Sequence, residues 1–155
     1  MLANNPGPFT FAGTGTFLIG DADGVAVIDP GPADDAHLAA LLGAVEGQTV
    51  SHVLVTHGHA DHLPLARPFA QAVRAPVLAH PALSPDQDLA DGDRITGDGW
   101  TLEVLATPGH APEHLAFALR EENALFSGDH VMGWSTSVVS PPEGDMDSYL
   151  DSLDR

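Results

Sequence analysis

A chain of 155 residues, 43% of them apolar, has the length of one domain and enough apolar mass for a core. Its charge is one-sided: five arginines and no lysine stand against 22 acidic residues, for a net charge of −17. Such a field repels phosphate backbones and anionic bilayers, which argues against nucleic-acid and membrane-surface partners, although divalent ions would reverse the local sign. There is no cysteine, so disulfides and thiolate chemistry are excluded, and any transition-metal site must use histidine and carboxylate. No apolar run reaches the ~20 residues of a membrane span. Residues 1–20 lack the basic and unbroken apolar regions of an export signal, so the expected location is cytoplasmic.

In chain order, residues 16–20 and 25–29 predict two strands joined by a turn at Asp23-Gly24, the second ended by Pro30-Gly31-Pro32. Asp34 or Asp35 can cap a helix whose Leu38, Leu41, Leu42 and Val45 line one buried face, with His37 on the polar side and Gly47 as the stop. Residues 50–56, rich in β-branched side chains, predict a strand that runs straight into His57-Gly58-His59-Ala60-Asp61-His62. A short helix over 65–74 follows, with Pro64 and Pro68 tolerable only in or before its first turn. Residues 76–80 read as a strand, and Asp91-Gly92-Asp93 and Asp98-Gly99 as turns about another at Ile95. Strands over 101–106, 115–119 and 124–126 precede a helix over 146–153 with Met146, Tyr149, Leu150 and Leu153 on one face. Strands mixed with covering helices make an α/β or α+β domain.

The stretch 57–62 is the most informative. At a strand end alternate residues point the same way, so His57 and His59 can converge on one ion while Asp61 and His62 turn toward a neighbouring position. Thr107-Pro108-Gly109-His110 and Ser127-Gly128-Asp129 each deliver one further potential ligand from a strand terminus, beside a glycine that lets backbone approach closely. Alone, His110 reads as a turn or core histidine and Asp129 as a turn former; their weight comes from following the first cluster. The other histidines read more plainly. His52 packs mid-strand or at an edge, His80 follows a strand end, and His130 points away from the ligand side of Asp129. His114 either hydrogen-bonds near the site or is structural. Trp100, Trp134 and Phe126 read as core or pocket wall.

In this order the IDPG run at Ile28 to Gly31, THGHADH at 56–62, TPGHAPEH at 107–114 and FSGDHVMG at 126–133 resemble the metallo-β-lactamase superfamily through nearly the whole chain. The resemblance implies an αββα sandwich with a dinuclear site at one edge. His57, His59 and His110 would hold the first metal, Asp61 and His62 the second, and Asp129 both. Two Zn2+ ions are the implied cofactor, with Mn2+ or Fe2+ as alternatives. Ions about 3.5–4 Å apart would acidify a bridging water, and the resulting hydroxide would attack an ester, thioester or phosphodiester of a small molecule. Asp61 is the expected catalytic residue, orienting the nucleophile and shuttling its proton.

Glyoxalase-II-type thioesterases and the lactamase-like hydrolases that include a mitochondrial endoribonuclease are the most similar groups. The lack of a cysteine ligand and the presence of Asp129 argue against an antibiotic-degrading lactamase, and the charge argues against RNA. An iron-bearing persulfide dioxygenase uses a related ligand set without needing Asp61 and His62. The competing class is a non-catalytic metal-binding module that serves as a structural partner. Family members also carry one more histidine in a PGHG-like turn beyond the Asp129 position, and none follows it here. The resemblance therefore implies one domain over 1–155 that lacks the C-terminal part of the sandwich. A weaker second metal and an exposed sheet edge that invites homo-oligomers would follow.

Overall fold

Val25, Val27 and Val53 join one apolar cluster, Ala26, Ile28 and Leu54 a second, and all six side chains are buried. Burial on both faces marks the strands Val25–Ile28 (β2) and Val50–Leu54 (β3) as interior strands of a layered domain. In the computed structural model, which describes residues 1–21 and 24–155, they pair in parallel within a five-stranded sheet. Phe17–Ile19 (β1) lies antiparallel to β2 at one edge, while Val77–Ala79 (β4) and Gln87–Asp88 (β5) extend the sheet in parallel on the other side.

Helices Asp35–Ala44 (α1) and Ala66–Val73 (α2) cover one face, adding Leu41, Ala66, Phe69 and Ala70 to the valine cluster. The other face packs on a wholly antiparallel sheet of Arg94–Gly97 (β6), Trp100–Ala106 (β7), Leu115–Leu119 (β8) and Ala124–Phe126 (β9). Leu102, Val104, Leu115 and Phe117 fill the space between the sheets against Ile28, Leu54 and Leu78. The α/β class and the layered sandwich read from the sequence are what the structure has. The helix Met146–Leu153 (α3) is tied to the 107–110 turn, where the Asp145 N–H donates to the Gly109 carbonyl and Ser152 Oγ to the Pro108 carbonyl, each at 2.8 Å. Gly109 has φ +142, and a Cβ there would lie 2.4 Å from the Tyr149 Cα, so only glycine lets α3 approach this closely.

Some local expectations are corrected. His37 is not on a polar face: it is buried, its Nε2 lies 3.1 Å from Thr16 Oγ1, and its ring fills the space beside Gly31. Met146, Leu150 and Leu153 do not form a buried stripe and are each about half exposed. Ser152 turns inward instead, because α3 is held by hydrogen bonds to a turn rather than by an apolar bed. β5 is two exposed residues long and carries no pattern to read. The expected turn at Asp23-Gly24 lies partly outside the described residues. Among the described residues no helix is long and apolar enough to cross a membrane. Among the described residues β9 is paired on one side only, with its Leu125 52% exposed.

Replacing Phe117, fully buried between the sheets, should lower the unfolding free energy by about 3–5 kcal/mol in Phe117→Ala. Exposed Leu150→Ala should change it by no more than about 0.5 kcal/mol. Urea unfolding followed by circular dichroism measures both.

Candidate metal centre

The site gathers where strands of both sheets end. β2 runs into Asp29, whose left-handed backbone (φ 50) turns its carboxylate back toward the end of β3. Asp29 Oδ1 accepts the Thr56 N–H at 2.8 Å, and Oδ2 accepts the Thr56 hydroxyl at 2.7 Å. Oδ2 also lies 2.8 Å from His62 Nδ1. One buried carboxylate thus fixes the strand end that carries His57 and the ring of His62.

Those bonds assign tautomers. Thr56 Oγ1 gives its only proton to Asp29, so at 3.0 Å it accepts from His57 Nδ1. His57 is then left with a bare Nε2, which is buried and has no hydrogen-bond partner among the described residues. Burial first, and then the rings of His62, His114, His59 and His110, press the His57 pKa far below its ordinary value. This is a neutral imidazole with its lone pair unused.

His59 and His110 face it. His59 Nδ1 and His110 Nε2 lie 3.0 Å apart. Their outer nitrogens are held elsewhere: His110 Nδ1 donates to the Val138 carbonyl at 2.6 Å, and His59 Nε2 is 3.2 Å from Glu143 Oε2. Asp129 closes the group, with Oδ2 3.5 Å from His110 Nε2 and 4.0 Å from His57 Nε2. The ligand atoms of His57, His59, His110 and Asp129 all lie within 4.8 Å of one another. Three nitrogens and a carboxylate oxygen, with an orphaned buried lone pair among them, fit a divalent transition-metal ion.

A second group meets the first at Asp129. His62 Nε2 lies 3.4 Å from Asp129 Oδ1 and 3.3 Å from Asp61 Oδ2. Burial alone would lower the His62 pKa, yet the Asp29 charge and the hydrogen bonds to Asp129, Asp29 and Asp61 raise it well above its ordinary value. Burial likewise opposes ionisation of Asp61, but His62 and the Thr14 hydroxyl, donating to Oδ2 at 2.7 Å, hold its carboxyl below the usual range. Asp129 is also held low against burial, by His62 and His110. The six sequence-predicted residues His57, His59, Asp61, His62, His110 and Asp129 therefore form one contiguous cluster in which Asp129 turns one oxygen to each group.

His114 proves to belong beside this cluster. It is 1% exposed, and its Nε2 accepts the Asp129 N–H at 3.2 Å while Nδ1 lies 2.8 Å from Thr107 Oγ1. Accepting at Nε2 places its proton on Nδ1, and burial followed by the nearby His110 pushes its pKa down to about 3. Gly128 (φ +51) allows the approach, since a Cβ there would come within 2.6 Å of His114 Nε2. His80 instead caps a short 3-10 turn through Ala82, His52 lies edge-on to the core residue Trp100, and His130 is buried against Tyr149. Trp134 and Phe126 line a cavity of about 320 Å³ beside Asp61 and Asp129, as pocket wall. Sequence reasoning missed Asp29, Thr14 and Glu143. Of these only Asp29 left a local signal, an acid closing an apolar strand before Pro-Gly.

A family model described as the metallo-beta-lactamase superfamily matches residues 10–87 and 81–155. The chain is 36% identical over 160 residues to the lactamase-like protein adaB of Aspergillus niger, covering 100% of this chain and 49% of that protein. It is 32% identical over 160 residues to the atrochrysone carboxyl ACP thioesterase of Claviceps purpurea, covering 100% and 50%. The chain spans about half the length of the curated relatives it matches. Among solved structures, ETHE1 from Myxococcus xanthus superposes with a TM-score of 0.77 at 26% identity, over 90% of this chain and 63% of that one. TTHA1623 in a di-iron-bound form superposes with a TM-score of 0.72 at 28% identity, over 90% and 78%.

Asp29→Ala removes the acceptor of three buried donor groups and strands His62. It should cost about 3–5 kcal/mol of stability, the range for breaking a buried pair. It should also lower the His62 pKa, which NMR titration of the ring would report. An unchanged His62 pKa would mean that Asp29 is not its partner in solution.

Proposed function

This chain belongs to the metallo-beta-lactamase superfamily, and from that premise we propose that it is a metal-dependent hydrolase acting on an ester or thioester of a small molecule. Superfamily members are mostly hydrolases, and one relative is a thioesterase. In this reading His57, His59 and His110 would hold one ion, Asp61 and His62 a second, and Asp129 both. The observation that carries it is the sharing of Asp129, one oxygen facing three imidazoles and the other facing His62 and Asp61. The donor set suits Zn2+, with Mn2+ or Fe2+ as alternatives; one structural neighbour is a di-iron protein. Bound there, such ions supply Lewis acidity toward a carbonyl and lower the pKa of water.

The remaining work falls to the chain itself. Asp61, with one oxygen held by Thr14, keeps its carboxylate ionised and oriented to accept a proton from an attacking water. Asp29 and Thr56 hold His62 and His57 in the tautomers that turn Nε2 inward. The charge of −17 supports a small molecule over an RNA substrate.

Each of His57→Ala, His59→Ala and His110→Ala should reduce bound zinc by at least one equivalent, measured by elemental analysis after dialysis. Asp61→Asn should stay folded and lose about 10²-fold or more in kcat, the usual size of a general acid–base contribution. Unchanged zinc in all three histidine variants would refute the ligand assignment. Two bound equivalents with no turnover of ester, thioester or phosphodiester would favour the non-catalytic module.

A further inference from the structure

We propose that the cavity of about 570 Å³ beside His59 and His110 seats an uncharged, apolar acyl group, the half of the substrate that carries the scissile carbonyl. This rests on the reading of the chain as an ester or thioester hydrolase. The cavity floor includes His59, His110, Asp61 and Asp129, so whatever fills it lies against the proposed metal ligands. Its walls are Phe9, Pro32, Met132 and Val138. Phe9 is 72% exposed and Val138 40%, large apolar side chains held out of the core at the rim of a reactive site.

Both walls are fastened to the site itself. Phe9 sits in a loop pinned by Asn5, whose Oδ1 accepts the Thr14 N–H at 2.9 Å and whose Nδ2 donates to Thr14 Oγ1 at 3.0 Å. Thr14 in turn donates to Asp61. On the opposite wall the Val138 carbonyl accepts from His110. Cleft and cluster are thus one hydrogen-bonded unit, and a group between the walls is placed relative to Asp61 and His110 together.

The lining argues for what that group can be. None of the five arginines lines the cavity. Arg67, Arg120 and Arg155 are paired with Asp86, Glu103 and Asp91, Arg74 ends α2, and Arg94 lies on β6 beside a different depression. The acidic side chains at the cleft are Asp61 and Asp129, with Glu143 beside His59. An acyl group with its own carboxylate or phosphate would find no side-chain cation on these walls. An alkyl or aryl group leaves water against Phe9, Met132 and Val138, a gain that grows with its apolar area.

Calorimetric titration of the zinc-loaded protein with acetyl, butyryl, hexanoyl and succinyl hydroxamates tests this, since all four carry the same chelating head. Affinity should rise roughly threefold to fourfold per methylene from acetyl to hexanoyl, the fold-change that ~0.8 kcal/mol per CH₂ gives. The succinyl compound should bind no tighter than the acetyl one. Phe9→Ser should flatten the rise, and Met132→Arg should shift preference toward succinyl. In zinc-free protein the Met132 methyl resonance should move on adding hexanol and stay on adding succinate, which tests the seat without the metal. A flat series, or succinyl binding tighter than hexanoyl in the unmodified protein, overturns the proposal. Turnover of the matching thioesters separates the two readings. Hydrolysis independent of chain length defeats the acyl seat alone, whereas chain-length-dependent binding without hydrolysis of any ester defeats the hydrolase reading alone.

Discussion

Asp29, Asp61 and Asp129 all reach the ring of His62, and Asp129 also stands beside the buried His57 and His110. Carboxylates do not collect in a half-buried space without positive charge between them. In the chain by itself the three carboxylates raise the His62 pKa well above its ordinary value, against burial. The opposite holds one residue group away, where His57 is forced neutral and its Nε2 has no partner among the described residues. A buried surplus of carboxylate beside a buried surplus of lone pairs is complementary to cations. The hydrogen bonds around it aim those groups rather than satisfy them.

The fold supplies the aim through strand ends. β2 and β3 are parallel neighbours, so the residues that follow them, Asp29 and Thr56, leave the sheet side by side and bond to one another. The second sheet brings Thr107–His110 and Ser127–Asp129 to the same edge from β7 and β9, with β8 between them. His114, at the entry to β8, then ties the two segments together, bonding Thr107 on one side and the Asp129 backbone on the other. Ligands that are 72 residues apart in sequence, His57 and Asp129, therefore depend on short local bonds at one rim of the sandwich. Sites at the carboxyl ends of strands are a general outcome of such architectures.

Much of this was legible in the sequence because the strands carry their burial in their composition. β8, β9 and α3 fall where the apolar runs and turn residues put them. The six candidate site residues could be read as a group because the dense run at 57–62, followed in order by His110 and Asp129, resembles the metallo-β-lactamase pattern. What was illegible is of one physical kind. His37 looks polar in a helical projection but fills a hole beside Gly31, and α3 looks amphipathic but is fastened by Asp145 and Ser152. Both depend on partners far along the chain, which periodicity does not encode. Thr14 is the same case, its partner Asp61 lying 47 residues away.

The placement of Asp129, one oxygen toward each group of ligands, is the feature on which the site, the hydrolase reading and the placement of the acyl cleft converge. It is tested most directly by electron paramagnetic resonance of the protein loaded with Mn2+, because a carboxylate common to two ions couples their spins. Two ions per chain with a coupled-pair spectrum, replaced by an uncoupled spectrum in Asp129→Ala, is the expected result. A single ion per chain, or two ions whose spectrum is uncoupled in the unmodified protein, would contradict a shared Asp129.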